Sequence, residues 1–574
     1  MGTNKAIIED KAGRVELTTT ANIEVSKLYN HDLAPVPFKG RTWHTYNYAA
    51  LWMSIAHGIP TYYLASGLID MGMSWVQAVI TVGLGNLIVM IPLLLNSHAG
   101  AKYGIPFPVF ARTAFGALGA NVPALIRAIS ACGWFGIQTW VGGQAIHTLC
   151  GVFFGSWWSD AERFGGHPWT LWLSFAVFWL LQMALVLRGI ESIRKLENFA
   201  APLILVVAGI LMVWVMNLAG GLGPMASAPS ELGWGAGFWT IFPGALMGMI
   251  AYFATMSVNI SDFTRFAKSQ KAQVVGQSVG LTPTIVAFTT IGALTTSATV
   301  EVWGRPIWDP VELVGLIPNA LAVLFSLFCI IVATVAVNVA ANTVGPAYDF
   351  SNAFPRYVSF KMGGIITGVI AILMQPWNLL ASPNLYIFVW LGLTGAFLGS
   401  VAGILVAEYW IIRRRYLAVE ELYQRGSRYE YRRGFNWRAL TAMAIALLLS
   451  VGGAYSAGGT GGPFPEAGFI PLLKPLYDYN WAVAFISGLL IHWLLARAFP
   501  PASLSLDAAD RAAGVAGAAL PGAAAGERIA ADAGAARPVA EDAEQTADAE
   551  QTAVGEDATA TAAGPADELV TSKQ

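Results

Sequence analysis

Twelve runs of about twenty apolar residues, each the length of one membrane crossing, punctuate this sequence. They lie near 46–69, 75–97, 123–151, 169–187, 198–218, 237–260, 276–299, 316–343, 362–380, 385–411, 438–456 and 479–499. A backbone immersed in lipid must satisfy its own hydrogen bonds, so such runs have to become helices. Composition agrees: 55% of the 574 residues are hydrophobic, 12% are charged, and the mean hydropathy is +0.55. Water-soluble domains carry about 25% charged residues. The chain is therefore expected to be an all-α polytopic membrane protein.

The loops fix the expected orientation. With the arm at 1–44 placed in the cytoplasm, the loops on that side carry 24 Lys and Arg, eight of them between Arg413 and Arg438. The opposite loops carry only Arg163, Arg305 and Lys474. This alternation predicts twelve spans with both termini cytoplasmic. The arm lacks the pattern of a cleaved signal peptide, so the first span is expected to anchor itself. Residues 501–574 differ in kind: they hold 13 acidic and 4 basic residues and repeat AEQTA at 543–547 and 549–553. An Ala-rich acidic segment buries too little apolar surface to offset its ordering entropy, which predicts a disordered cytoplasmic tail.

Several chemistries find no support. There is no Walker sequence and no G-x-G-x-x-G opening a helix after a strand, which argues against an ATP-driven pump. Cys132, Cys150 and Cys329 are scattered through apolar segments and offer neither a disulfide framework nor a metal spacing. No catalytic grouping, cofactor motif or nucleic-acid signature is present, so the chain is read as a non-enzyme with no metal site and no obligatory protein partner.

Four spans carry residues that an inert helix would not need. The first (LWMSIAHGIPTYYLASG, 51–67) holds His57, Gly58 and Pro60 near its middle. Pro60 lacks a backbone donor and should break or kink the helix, and broken helices line many transporter sites. In the third (ACGWFGIQTWVGG, 131–143), Trp134 and Gln138 are four apart and share a face. An indole plane with a carboxamide suits a flat amide-bearing ring; packing and helix–helix tethering are the alternative. The sixth (AYFATMSVNISDFTRFA, 251–267) offers Phe253, then Asn259 and Asp262, with Arg265 as a partner for Asp262 at the interface. The eighth (333–356) places Asn338 and Asn342 on one face, either as a binding edge or as an interhelical tether.

At these residues the sequence resembles the nucleobase:cation symporter family 1, the group of bacterial allantoin, uracil, cytosine and hydantoin permeases. The resemblance runs from about 30 to 500. It rests on NHDLAPVPFKGRTW (30–43), HGIPTYYLASGLI (57–69), KYGIPFPVFARTAFGALGANVPALIRA (102–128), GWFGIQTW, NISDFTRFA (259–267) and NVAANTVGPAYDFSN (338–352). It implies a LeuT-like fold, with inverted five-helix repeats at about 45–218 and 237–411 and two extra helices within 438–499. It also implies import of a small planar nucleobase or ureide, allantoin or uracil foremost, across a bacterial inner membrane. No cofactor beyond a co-transported cation is implied.

Carried over by position, the resemblance assigns ring stacking to Trp134 and amide contacts to Gln138 and Asn342. Phe253 falls where the family has a second stacking tryptophan, and His57 or Gly58 falls at the first-span break. Sodium-coupled relatives hold Na⁺ with eighth-span oxygens. The carbonyl position falls at Ala333 and the two hydroxyl positions at Ala336 and Val337, neither of which has a side-chain oxygen. A proton is therefore favoured over Na⁺, with His57 or Asp262 as its carrier. An amino-acid transporter on the same superfold and a passive channel are the competing readings.

Overall fold

The computed structural model describes residues 7–56, 58–188, 206–227, 229–456, 458 and 462–515. His57, most of the loop carrying Arg194 and Lys195, and residues 516–574 lie outside the described residues. What is described is mostly helix, with two short antiparallel strand pairs, one of which joins Ile7–Glu9 to Val15–Leu17. Among the described residues, six helices are long and apolar enough to cross a membrane: Trp75–Tyr103, Trp169–Arg188, Gln270–Trp303, Ala320–Ala353, Leu385–Ile412 and Asn480–Ala498. Val206–Leu218, Ala236–Tyr252, Phe360–Leu373 and Trp437–Val451 are shorter apolar helices.

Two segments are interrupted. The first apolar run forms Thr45–Ala56 and Ile59–Asp70, with Gly58 extended (φ −65°, ψ 152°) as the N-cap of the second piece and Pro60 in its first turn. The sixth forms Ala236–Tyr252 and Ala254–Asn259, separated by Phe253 at φ −102° and ψ 9°. The breaks face each other, and the hydroxyls of Thr61 and Tyr252 are 2.8 Å apart.

Small residues let the other helices close around these breaks, as membrane helices require. Gln270–Trp303 packs on Thr45–Ala56 through Gly276 and Gly280, where an added Cβ would stand 2.4 Å from the Thr45 carbonyl and 2.8 Å from Ala49. The long helices Asn121–Phe154 and Ala320–Ala353 pack along each other and carry the third- and eighth-span residues.

The arm packs on the helices, with Ile23 and Leu33 fully buried. The tail departs from expectation. The acidic segment is not disordered from residue 501. Ser503–Ala512 is a helix with Asp507 fully buried. The composition average hid this contact, because one short stretch supplies two carboxylates, Asp507 and Asp510, to Arg413 and Arg428 of the arginine-rich loop.

Candidate functional site

A cavity of about 40 Å³ lies where the two breaks meet the third- and eighth-span helices. Gly58 and Pro60 line it from the first break, Trp134 and Gln138 from the third-span helix, and Val337 and Asn342 from the eighth. Tyr252, Thr255 and Met256 close it from the sixth. Four of the expected substrate residues, Gly58, Trp134, Gln138 and Asn342, are thus brought together with Val337, one of the cation positions, from segments up to 284 positions apart in sequence, counted from Gly58 to Asn342.

Trp134 is 5% exposed and its indole is braced edge-on by Tyr252 at 5.2 Å, Tyr386 at 6.0 Å and Trp390 at 6.4 Å. These near-perpendicular contacts hold the indole in one orientation on the cavity wall. Gln138, one turn on, is also buried, and its Oε1 has no hydrogen-bond partner. A buried polar atom left unpaired demands an explanation, and here it sits on a cavity wall. The Thr255 Oγ1 is buried and unpartnered on the same cavity.

Asn342 and Asn338 share a face but not a role. Asn342 lines the cavity and donates from Nδ2 to Asn338 Oδ1 at 2.8 Å. Asn338 in turn donates to the Phe135 carbonyl at 2.9 Å and to Gln182 Oε1 at 2.6 Å. It is the tether that fixes Asn342, and every hydrogen it offers is spent inside the protein.

Phe253 is not on the cavity wall. It is 2% exposed and meets Trp52 edge-on at 5.4 Å, while its neighbour Tyr252 presents to the cavity. The reason is the break itself. Leaving helical geometry at Phe253 turns that side chain toward the first span.

Asp262 stands outside the cavity. Its Oδ1 accepts from the Phe107 backbone N–H at 2.8 Å and its Oδ2 from Asn259 Nδ2 at 3.1 Å. The expected pairing with Arg265 gives way to other partners: Arg265 donates to the Asp32 carbonyl at 3.1 Å and lies over the Tyr348 ring at 4.8 Å. Of the cation-position residues, Val337 faces the first break, 3.6 Å from where a Cβ on Gly58 would stand. Ala333 and Ala336 pack with Tyr62, Ala208 and Phe288.

Two features escaped the sequence reading. Tyr252, Thr255 and Met256 follow from the break at Phe253, which no Gly or Pro announces. Arg127 and Asp349 form a wholly buried ion pair at 3.1 Å between the third- and eighth-span helices. A lone arginine inside the third apolar run and an aspartate six residues beyond the eighth were the available signal.

Below the cavity the arm is strapped across several loops. Arg112 donates to the carbonyls of Leu28 (3.2 Å) and Leu422 (2.9 Å) and to Asn352 Oδ1 (2.7 Å). Tyr423 donates to the Leu33 carbonyl at 2.7 Å. These contacts tie the arm to the loop that carries Leu422 and Tyr423.

Comparison with known proteins identifies the family. Residues 35–484 match the family model described as permease for cytosine/purines, uracil, thiamine, allantoin. The chain is 39% identical to an allantoin permease of Bacillus subtilis, over 85% of this chain and 97% of that one. It is 40% identical to a purine-uracil permease of Arabidopsis thaliana, over 74% of this chain and 71% of that one. Among solved structures it resembles MHP1, a nucleobase-cation-symport-1 family transporter in a closed conformation with bromovinylhydantoin bound, with a TM-score of 0.67 and 28% identity over 83% of this chain and 99% of that one. The chain belongs to the cytosine/purine, uracil, thiamine and allantoin permease family.

Proposed function

We propose that this permease imports a small planar ring with amide edges, a ureide such as allantoin or a pyrimidine such as uracil, by cation-coupled alternating access. The observation that carries the reading is the unpartnered Gln138 oxygen on the same small cavity as Trp134 and Asn342, the latter held by its tether to Asn338. A site of this kind discriminates because a mismatched ring leaves buried amides unpaired. At about 40 Å³ the cavity is smaller than the 300–1,000 Å³ typical of ligand pockets. Accepting a ring therefore requires the walls to part, as rocking of one repeat against the other would do. The names of the relatives, allantoin, purine-uracil and hydantoin permeases, point to the same chemical class.

In this reading the chain has twelve spans, arranged as two inverted five-helix repeats plus two, with both termini in the cytoplasm of a bacterial cell and the spans in its inner membrane. The arginine-rich loops and the strapped arm then share the cytoplasmic face. The coupling ion is a proton, carried by His57 or Asp262, because Ala336 and Val337 offer no hydroxyl to replace the water shell of Na⁺. The test is uptake of labelled allantoin and uracil into proteoliposomes under imposed gradients, with a panel of rings as competitors. Concentrative uptake driven by a pH gradient and competed by ureides or pyrimidines is expected. Uptake that needs a sodium gradient and ignores pH refutes the proton; competition only by free amino acids refutes the ring.

A further inference from the structure

A second cavity, of about 340 Å³, opens on the opposite side of the segment that braces Trp134. That segment, Leu385–Leu391, is a turn and a half of π-helix, a geometry that recurs at functional sites. Its residues divide between two compartments. Tyr386 and Trp390 point at Trp134, and the Tyr386 hydroxyl donates to the Pro60 carbonyl at 3.4 Å. Leu385, Phe388 and Val389 line the second cavity.

The walls of this cavity combine aromatic surface with acceptors. Phe388, Tyr455 and Tyr477 supply the rings. Three wall hydroxyls have spent their hydrogens: Tyr455 donates to Asp478 Oδ1 at 2.8 Å, Tyr477 to the Phe388 carbonyl at 2.9 Å, and Thr240 to the Ala236 carbonyl at 2.8 Å. These offer lone pairs beside the Asp478 carboxylate, and Ser456 and Asn384 are the neutral polar groups on the same wall. Lys474, the neighbouring cation, is engaged with the Glu466 carbonyl and stacked on the Tyr455 ring. Asn480 is 3% exposed and lines the cavity, and its Oδ1 has no partner. An orphaned carboxamide oxygen and a carboxylate among aromatic rings call for an N–H donor on an apolar body.

We infer that this cavity is a second ligand site, taking a small aromatic or otherwise apolar ammonium compound whose N–H groups meet Asn480 Oδ1 and Asp478. An occupant presses on the Phe388 and Val389 face of the π-helix and holds Tyr386 and Trp390 against Trp134. It thereby modulates the central site without entering it. The volume falls in the range of small-molecule pockets, about 300–1,000 Å³.

The experiment titrates the purified full-length protein with phenethylamine and, separately, with uncharged 2-phenylethanol, by calorimetry and thermal shift. Phenethylamine is expected to bind and raise the melting temperature, and 2-phenylethanol to bind at least tenfold more weakly. Asn480→Leu and Asp478→Asn should each weaken phenethylamine tenfold or more. Thr240→Trp, which fills the cavity from an exposed position, should abolish binding and keeps the test decisive if the other variants do not fold. Gln138→Ala, on the wall of the central cavity, should leave it unchanged. Loss of phenethylamine binding in Gln138→Ala, equal affinity for the alcohol, no binding of phenethylamine at all, or lipid phosphate that copurifies with the wild type and is lost in Thr240→Trp would each overturn the assignment. In proteoliposomes, phenethylamine should lower Vmax with KM unchanged. That arm rests on the transport reading, whereas the binding arms do not.

Discussion

The indole of Trp134 is held by three other rings set nearly perpendicular to it, so its orientation is set before any ligand arrives. Preorganisation of this kind reduces the ordering cost of binding. Removing the ring by Trp134→Ala should cost the stacking energy, about 1–3 kcal/mol, read as roughly a five- to 150-fold rise in Kd for the transported ring. The neighbouring aromatic pair separates two roles. Tyr252 faces the cavity and links the two helix breaks through Thr61, whereas Phe253 packs on Trp52. Tyr252→Phe should therefore lower uptake by loosening the breaks, with about 0.5–1.5 kcal/mol lost with the hydrogen bond. Phe253→Trp should overpack its buried site and cost about 1–3 kcal/mol in thermal unfolding, without a gain in substrate affinity. Trp134, Gln138 and Asn342 were legible in the sequence because polar and flat side chains stand out on apolar helices. The exchange of Phe253 for Tyr252 was not, since a one-residue rotation depends on where the helix stops.

At the scale of the helix, proline alone did not decide where helices stop. Pro60 accompanies a break, yet Pro92, Pro243, Pro283 and Pro346 lie inside continuous helices. Neighbouring helices and local adjustment can satisfy the carbonyl a proline strands in an apolar setting. Pro60 differs in following the extended Gly58, which leaves the preceding turn without a continuation. The sixth-span break at Phe253 has no such local signal, so tertiary packing imposes it. Glycine carries a clearer message at Gly345. A Cβ there would lie 1.7 Å from a guanidinium nitrogen of Arg127, so the arginine reaches Asp349 across a bare stretch of backbone. Gly345→Ala must displace that guanidinium and leave a wholly buried carboxylate short of its partner, at a cost of about 3–5 kcal/mol. The expected result is a sharply lower melting temperature in detergent, whereas Gly209→Ala, where an added Cβ meets nothing within 4 Å, should change it little. Equal melting temperatures for the two variants would show that the Arg127–Asp349 pair is dispensable.

Among the described residues, chain that a span count would assign to loops, arm and tail is packed and tied together by buried polar contacts. Arg413 is fully buried and donates to Glu408 and Asp507 at 2.6 Å each, to the Tyr431 hydroxyl at 2.7 Å and to Ser503 at 3.1 Å. Arg428 bridges Asp507 and Asp510 at 2.7 Å each and Glu421 at 2.6 Å. Burial alone would lower the pKa of Arg428, but hydrogen bonds to Glu421, Asp507 and Asp510 outweigh it and hold the guanidinium above its ordinary range. Both arginines thus stay charged at any working pH, and their demand for carboxylates is permanent. The acidic segment meets that demand with one short helix, Ser503–Ala512. Two truncations separate this helix from the rest of the tail. Ending the chain after Val515 keeps every one of these contacts and should leave melting temperature and uptake unchanged. Ending it after Ala502 removes Ser503, Asp507 and Asp510 together. Arg413 then retains Glu408 and Arg428 retains Glu421, so the loop stays tethered, but a buried guanidinium loses a carboxylate it was desolvated to meet. The expected loss is roughly 3 kcal/mol of stability, seen as a lower melting temperature in fluorescence-detected size exclusion. Asp507→Asn in the full chain should reproduce most of it, because it removes the charge shared by both arginines while keeping the shape. A chain ending at Ala502 that melts with the one ending at Val515 would mean that the helix rests on the loop without supporting it.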